Sequence, residues 1–440
     1  MHARPTLPTR TPRQDRRGWS RWHIVWGVAT VMGLGLALLS PSTVQARTFQ
    51  CRAGDVACLI ESITQANAQP GSSHDIRLAA GVYTLTAVEN ETEGPNGLPS
   101  ITRNLTIRGE GEDVTILERN INASLFRLIH VAATGALTLE GLTLRGGGDF
   151  LSFRSHGGGL YNAGGRVTIL NSTFVHNAGY ASGGLYSAGG TVTIRNSTVA
   201  DNSTNADFPG GAGGGLFVTG GATVTISAST ITGNGAYAWG GGLYIDTGAT
   251  VTITNSAIVG NGTIFGGGGL LNAGTVMITN STIARNRAIQ GFGGGISGNS
   301  TTRILNSTIV DNHAANQVGI LAGGVIGPVA LQNTLVAHNT SEGFPSDCRN
   351  TISLGHNLIG DLTGCTMTLL PSDLTGEPEL GAFLDNETPG YGHYPLLPGS
   401  LAINRGNPAV CPKTDQLGEK RVEICDIGAI EFQGEVVSSR

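Results

Sequence analysis

Lysine is almost missing from this chain, which has only Lys413 and Lys420 in 440 residues. Charged residues of every kind make up 13%, so no basic stripe exists to hold nucleic acid or an anionic membrane. Between Gly157 and Thr340 the only carboxylates are Asp201, Asp207, Asp246 and Asp311. Glycoside hydrolysis needs two carboxyl groups within about 5 to 10 Å, and a calcium-dependent lyase needs a carboxylate cluster with a base beside it. No G-x-S-x-G, H-E-x-x-H or phosphate-cradling loop occurs, and no C-x-x-C that would favour zinc. Long apolar runs are missing too, apart from Ile24 to Leu39 near the start.

What is present is repetition. From Gly157 to about Asn339 one unit recurs seven times: a glycine run, an apolar dipeptide, a turn, an alternating T-V-T-I segment, then Asn, five residues and Asn again. Aligned on Ile169, Ile194, Ile226, Ile253, Ile278, Ile304 and Leu331, the copies are 25 to 32 residues apart. One unit has too little apolar surface to fold alone, and stacked units share a continuous core. Short alternating segments rich in threonine, with turn glycines in register, describe an all-β solenoid, a parallel β-helix. In Thr191 to Ile194, Val192 and Ile194 take one face and the threonines the other. The outward T-x-T face also fits an ice-binding solenoid, although Arg166, Met277 and Arg303 interrupt it.

The asparagines form two series, Asn171, Asn196, Asn255, Asn280, Asn306 and Asn333, with Ala228 as the exception, and Asn177, Asn202, Asn234, Asn261, Asn286, Asn312 and Asn339. Stacking places each in a column, and two amide ladders are expected, with asparagine also suited to left-handed corners. Four members of the first series lie in N-S-T glycosylation sequons, but Asn255 and Asn333 recur without one, which favours a structural role. In such a stack Asp201 and Asp311 share a register four coils apart, roughly 19 Å at ~4.8 Å per rung. Asp207 reaches Asp246 only by folding across a neighbouring coil. His176 and His338 fall beside the asparagines, His130, His156 and His356 stand alone, and structural roles are expected for all five.

Arg4, Arg10, Arg13, Arg16, Arg17 and Arg21, the apolar run, and Val44-Gln45-Ala46 make a secretory signal over residues 1–46. The Arg16-Arg17 pair fits twin-arginine export poorly. Removing the signal takes away six arginines and one aspartate and leaves 20 basic against 30 acidic side chains. All six cysteines lie beyond it, as Cys51 and Cys58, Cys348 and Cys365, Cys411 and Cys425. In an exported chain these imply disulfides, with local pairing the simplest of fifteen arrangements. The remaining divisions expected are an N-terminal cap with first coils over 47–156, repeat coils over 157–340, and last coils with a C-terminal cap over 341–440. Thr48 to Asn67 carries the one amphipathic helix pattern and would cap the first coil.

Two segments carry a family resemblance. DVACLIESITQAN (Asp55 to Asn67), with the strands that follow it, resembles the N-terminal part of exported bacterial right-handed β-helix proteins with a CSLREA-type motif. Leu59, Glu61, Ile63 and Asn67 match, Cys58 stands one place late, and Ile60 replaces the motif's arginine. Phe174-Val175-His176-Asn177 resembles the F-x-x-N unit of polymorphic outer-membrane proteins. SLGHNLIGD (Ser353 to Asp361), LLPGSLAINRG (Leu396 to Gly406) and DQLGEKRVEICDIGAIEF (Asp415 to Phe432) resemble the C-terminal domain of choice-of-anchor proteins, with Asn404 in place of the usual Asp. The resemblance implies a right-handed, pectin-lyase-like β-helix of about eleven coils.

The function expected is a non-catalytic binding or adhesion protein, secreted or on the cell surface, with a polysaccharide lyase or glycosidase as the alternative. Loop aromatics Phe150, Phe153, Tyr180, Phe208, Tyr237, Trp239, Phe265 and Phe292 are the candidate contacts to a polysaccharide or surface protein. No cofactor is expected, calcium staying open at Asp415, Asp426 and Glu431, where Arg421 makes ion pairs closing the last coil the simpler reading. The mature chain is expected to be a monomer without a membrane span, and its end at GEVVSSR implies free secretion or loose surface association.

Overall fold

Alternation along each T-V-T-I segment puts valine and isoleucine inside, where Val192 and Ile194 are 1% exposed and Thr191 faces out. The computed structural model describes residues 46–69, 71–149, 156–204, 211–315 and 322–434. These lie in the compact unit Val44–Arg440, and the expected signal, all but Ala46, falls outside them. The long strands form one twelve-stranded sheet from Thr48–Cys51 to Ile352–Ser353, so the solenoid climbs eleven steps. Ile169, Ile194, Ile226, Ile253, Ile278, Ile304 and Leu331 pair in that order, so the spacing in sequence is the register in space.

After the first asparagine the chain turns into a second twelve-stranded sheet, from Gly81–Leu85 to Leu374–Thr375, here termed the flank sheet. Two nine-stranded sheets complete each coil: two-residue strands that follow the second asparagine, and three-residue strands that follow the glycine run. The strands pair in parallel, except that Thr340–Ser341 meets Phe344–Pro345 antiparallel. The glycine run has a local cause. Gly240 sits at φ 62°, where a Cβ would stand 2.2 Å from the Leu243 carbonyl oxygen, and a Cβ on Gly241 would meet the next rung at 2.4 Å.

The two asparagine columns do different work. The second is a continuous ladder: each Nδ2 from Asn177 to Asn312 donates to the Oδ1 of the next asparagine at 2.9 to 3.0 Å, and so does its backbone N–H. All seven side chains are at most 1% exposed. The first column is not such a ladder. Asn171, Asn196, Asn255, Asn280, Asn306 and Asn333 take φ of 43 to 50°, as does Ala228, and the left-handed corner turns their side chains outward. Asn171 and Asn196 are exposed, whereas Asn255 and Asn280 reach carbonyls of the C-terminal segment, and only Asn333 to Asn306 is an amide pair. The serine of N-S-T stacks instead: Ser172, Ser197, Ser229, Ser256 and Ser281 each donate a backbone N–H to the serine Oγ of the next rung.

The ladder ends on Asp347, whose Oδ1 accepts from the Asn339 backbone and side chain while Oδ2 accepts from the Asp361 N–H. Burial pushes this carboxyl up to about 6 from 3.8, against the donors and His338, which pull it down. In that window the folded chain keeps a proton that the unfolded chain has lost. Stability is therefore expected to fall as pH rises from about 4 to 6 and to level above that, by about 3 kcal/mol for this group. Asp426, pushed up to about 6 by burial, acts in the same direction. Urea midpoints between pH 4 and 7 check this: because His156, lowered to about 4 by burial, opposes both carboxyls over the same window, Asp347→Asn should make stability rise with pH by about 3 kcal/mol more between pH 4 and 6 than in the unaltered chain, and an unchanged slope would contradict it.

Both ends of the core are covered. The helix Val56–Asn67 buries Leu59, Ile63 and Ala66 against the first coils, its first turn bonded to strand Thr48–Cys51 by the disulfide Cys51–Cys58. At the other end Met367 and Leu369 lie on the core, held by Cys348–Cys365. The charged tail does not close this last coil. From Gly376 the chain runs back along the outside of the flank sheet, and Tyr394, Leu396, Ala402 and Ile427 bury Ala257, Ala284, Val310 and Leu335. Apolar side chains outside that sheet need a cover, and the tail supplies one. Arg421 and Glu431, each 1% exposed, pair at 2.9 Å within this cover, which Cys411–Cys425 cross-links. No helix among the described residues is long and apolar enough to cross a membrane.

Candidate functional site

The cover stops at Gly390, whose N–H donates to Thr230 Oγ1. Beyond that rung a cleft of about 480 Å³ opens across four coils. Its floor is Gly146 to Gly148 with Ala178 and Ser203, and Ile121 and Leu125 stand at its rim. Glu118, Arg119, Arg145, His176 and Asp201 supply its charge.

Three of these charges are already engaged. Arg145 Nε donates to Glu118 Oε2 at 3.1 Å, and Glu118 Oε1 accepts from Thr84. Arg119 donates to the carbonyls of Gly146, Asn120 and Ala123, and its burial lowers its pKa. His176 and Asp201 differ. Each directly precedes a ladder asparagine at a left-handed corner, with φ of 53° and 51°, is exposed, and makes no side-chain hydrogen bond among the described residues. The ladder beneath fixes their backbone one rung apart, so two free polar groups are held at about 4.8 Å spacing over a glycine floor.

The other sequence candidates are dispersed. Asp311 accepts from the Tyr394 hydroxyl, and Asp246 accepts from Thr219 Oγ1 and the Thr247 N–H on a different face. Asp207, Phe150, Phe153 and Phe208 lie outside the described residues. Tyr237, Trp239 and Phe265 pack together, Trp239 and Phe265 with ring centres 5.6 Å apart, and Phe292 is 37% exposed. Asp415 and Asp426 accept backbone N–H groups inside the cover, and no three His, Cys, Asp or Glu side chains among the described residues are placed to hold a metal ion.

A feature that the loop aromatics obscured is a stack of rings on the three-residue strands. His130, Tyr161, Tyr186, Phe217 and Tyr244 follow rung by rung with centres 4.6 to 5.6 Å apart. Arg127 caps it, 4.7 Å above the Tyr161 ring. Burial raises the Tyr186 phenol to about 12 and lowers His156, stacked on it at 4.6 Å, to about 4. The signal was present in sequence as the aromatic after four of the five G-G-L triplets, Leu271 being the exception, eight or nine residues before the isoleucine of the next alternating strand.

A model for the right-handed β-helix region matches residues 105–241 and 214–369. The chain belongs to this right-handed β-helix family. Its solved neighbours include the pectate lyase Pel9A, at 15% identity and TM-score 0.49 over 89% of this chain and 98% of that one. The A-modules of the Azotobacter vinelandii mannuronan C-5 epimerases AlgE4 and AlgE6 follow, at 18% and 13% identity and TM-scores of 0.41 and 0.38. They cover 75% and 74% of this β-helix and 96% of their own chains. No curated protein sequence matches it.

Proposed function

We propose that this β-helix is exported and binds a partner outside the cell in the cleft over Gly146 to Gly148, without transforming it. Residues 1–46 would be the leader and 47–156 the N-terminal cap with the first coils. Residues 157–340 would be the repeat coils, and 341–440 the last coils with the C-terminal cover. Three disulfides fit an oxidising destination. The observation that carries the reading is the state of the cleft's charges: Glu118 and Arg145 neutralise each other, while His176 and Asp201 stand unused at the mouth. Such an arrangement recognises polar groups but offers no prepared acid and base pair.

The alternative, a carbohydrate-active enzyme, draws on one observation, that Glu118 and Asp201 line the same cleft. Incubation of the mature protein with acidic and neutral polysaccharides, with and without calcium, separates the two. No product beyond that of an Asp201→Asn control is expected. Depolymerisation that disappears on Glu118→Gln or Asp201→Asn would overturn the non-catalytic reading.

A further inference from the structure

The residue before each ladder asparagine forms a column of left-handed corners along one edge of the flank sheet: His176, Asp201, Gly233, Gly260, Arg285, Asp311 and His338, with φ between 51 and 67°. A left-handed corner favours glycine, so a charged side chain there is kept against the backbone's preference. For three of the five the structure shows what the side chain gains. His338 holds the Glu377 carboxylate at 2.8 Å, Asp311 accepts from the Tyr394 hydroxyl, and Arg285 donates to that hydroxyl at 3.0 Å while lying 4.4 Å above the Phe383 ring. All three partners belong to the C-terminal segment, whose residues 380–396 fold back as a hairpin with Leu384 and His393 paired, so this edge is a rail on which the chain docks a polypeptide hairpin of its own. His176 and Asp201 continue the same rail, in the same backbone conformation, past the point where the cover ends at Gly390.

Building on the reading of the cleft as a binding site, we infer that its occupant is a polypeptide hairpin bearing a carboxylate and an aromatic hydroxyl, chemically like residues 376–396. The carboxylate pairs with His176 and the hydroxyl donates to Asp201, as Glu377 does with His338 and Tyr394 with Asp311, the two contacts following in the opposite order along the rail. Continuity with an interface that the chain already makes is what selects a peptide over a sugar. The sugar-like alternative has no counterpart elsewhere on the rail.

The test uses a fluorescent synthetic peptide of residues 376–396 and the full mature protein, followed by anisotropy. Saturable binding is expected. Joint His176→Gly and Asp201→Gly substitution should weaken it by about tenfold or more, the equivalent of a lost polar pair. Glycine is the residue that the column itself carries at Gly233 and Gly260, so the fold should tolerate both changes, and an unchanged thermal midpoint verifies that. Arg285→Ala, on the occupied part of the rail, should leave peptide binding unchanged. Peptide binding that ignores the glycine pair, or that Arg285→Ala abolishes, would overturn the inference. A neutral or acidic oligosaccharide bound in a manner sensitive to the glycine pair, with no peptide bound, would overturn it too while leaving the cleft a binding site. If neither probe responds to the pair, both readings fall.

Discussion

Replacing Asn261 by leucine is expected to lower the unfolding free energy by about 4 kcal/mol or more, whereas Asn196→Ala, one column away, should cost about 1 kcal/mol. The difference lies in what each side chain satisfies. Asn261 Oδ1 accepts the backbone and side-chain N–H of Asn234, and its Nδ2 donates to Asn286 Oδ1 and to the Ile231 carbonyl. Leucine leaves several of these buried groups without a partner, at about 1 to 3 kcal/mol each. Asn196 is exposed at a left-handed corner, and Ala228 already occupies the equivalent corner on the next rung with φ 46°. Urea midpoints of the two variants give the comparison directly. Equal losses would mean that the ladder is incidental to stability.

The second large effect is expected at Arg421. Arg421→Met leaves the Glu431 carboxyl group, 1% exposed, without its ion-pair partner, with a penalty of about 4 kcal/mol. Arg421 also donates to Asn280 Oδ1 and to the Gly428 and Ala429 carbonyls, so it joins the cover to the rungs. The loss should therefore fall on the cover. Chymotrypsin should cut at Phe383, Tyr391 or Tyr394 in the variant long before it cuts the rungs, and the double change Arg421→Met with Glu431→Gln, which removes the buried charge and keeps an acceptor for the Val422 and Asp426 N–H groups, should restore part of the resistance. Digestion of rungs and cover at one rate would contradict this division.

The stack of rungs was legible in the sequence because the register is written in it. Val192 and Ile194 face inward by period-2 alternation, and the seven aligned aliphatics pair in order in space. The separate roles of the asparagine columns were not legible, since one-letter periodicity places residues in a column without revealing the backbone conformation. Asn171 and Asn177 look equivalent as text, yet one sits at φ 46° with its amide turned to solvent, while the other is buried in the ladder. The reversal of the tail was hidden for a similar reason. Arg421 and Glu431 announce a buried pair, but nothing in their spacing distinguishes the end of a solenoid from its flank. The cleft depends on contacts such as Arg145 with Glu118, from different coils, and on where the cover stops, which only the folded chain decides.

Every inference about the cleft depends on rungs locked in register by the buried asparagine column, because that column fixes where His176 and Asp201 stand. Residue-resolved hydrogen exchange of the mature protein tests this most directly. The backbone amides of Asn177, Asn202, Asn234, Asn261, Asn286 and Asn312, each donating to the next side chain at 3.0 Å, are expected among the slowest to exchange, with protection close to that of global unfolding. Exchange of these amides at the rates of the exposed corners Asn171 and Asn196 would show that no such ladder exists, and the geometry assigned to the cleft would be lost with it.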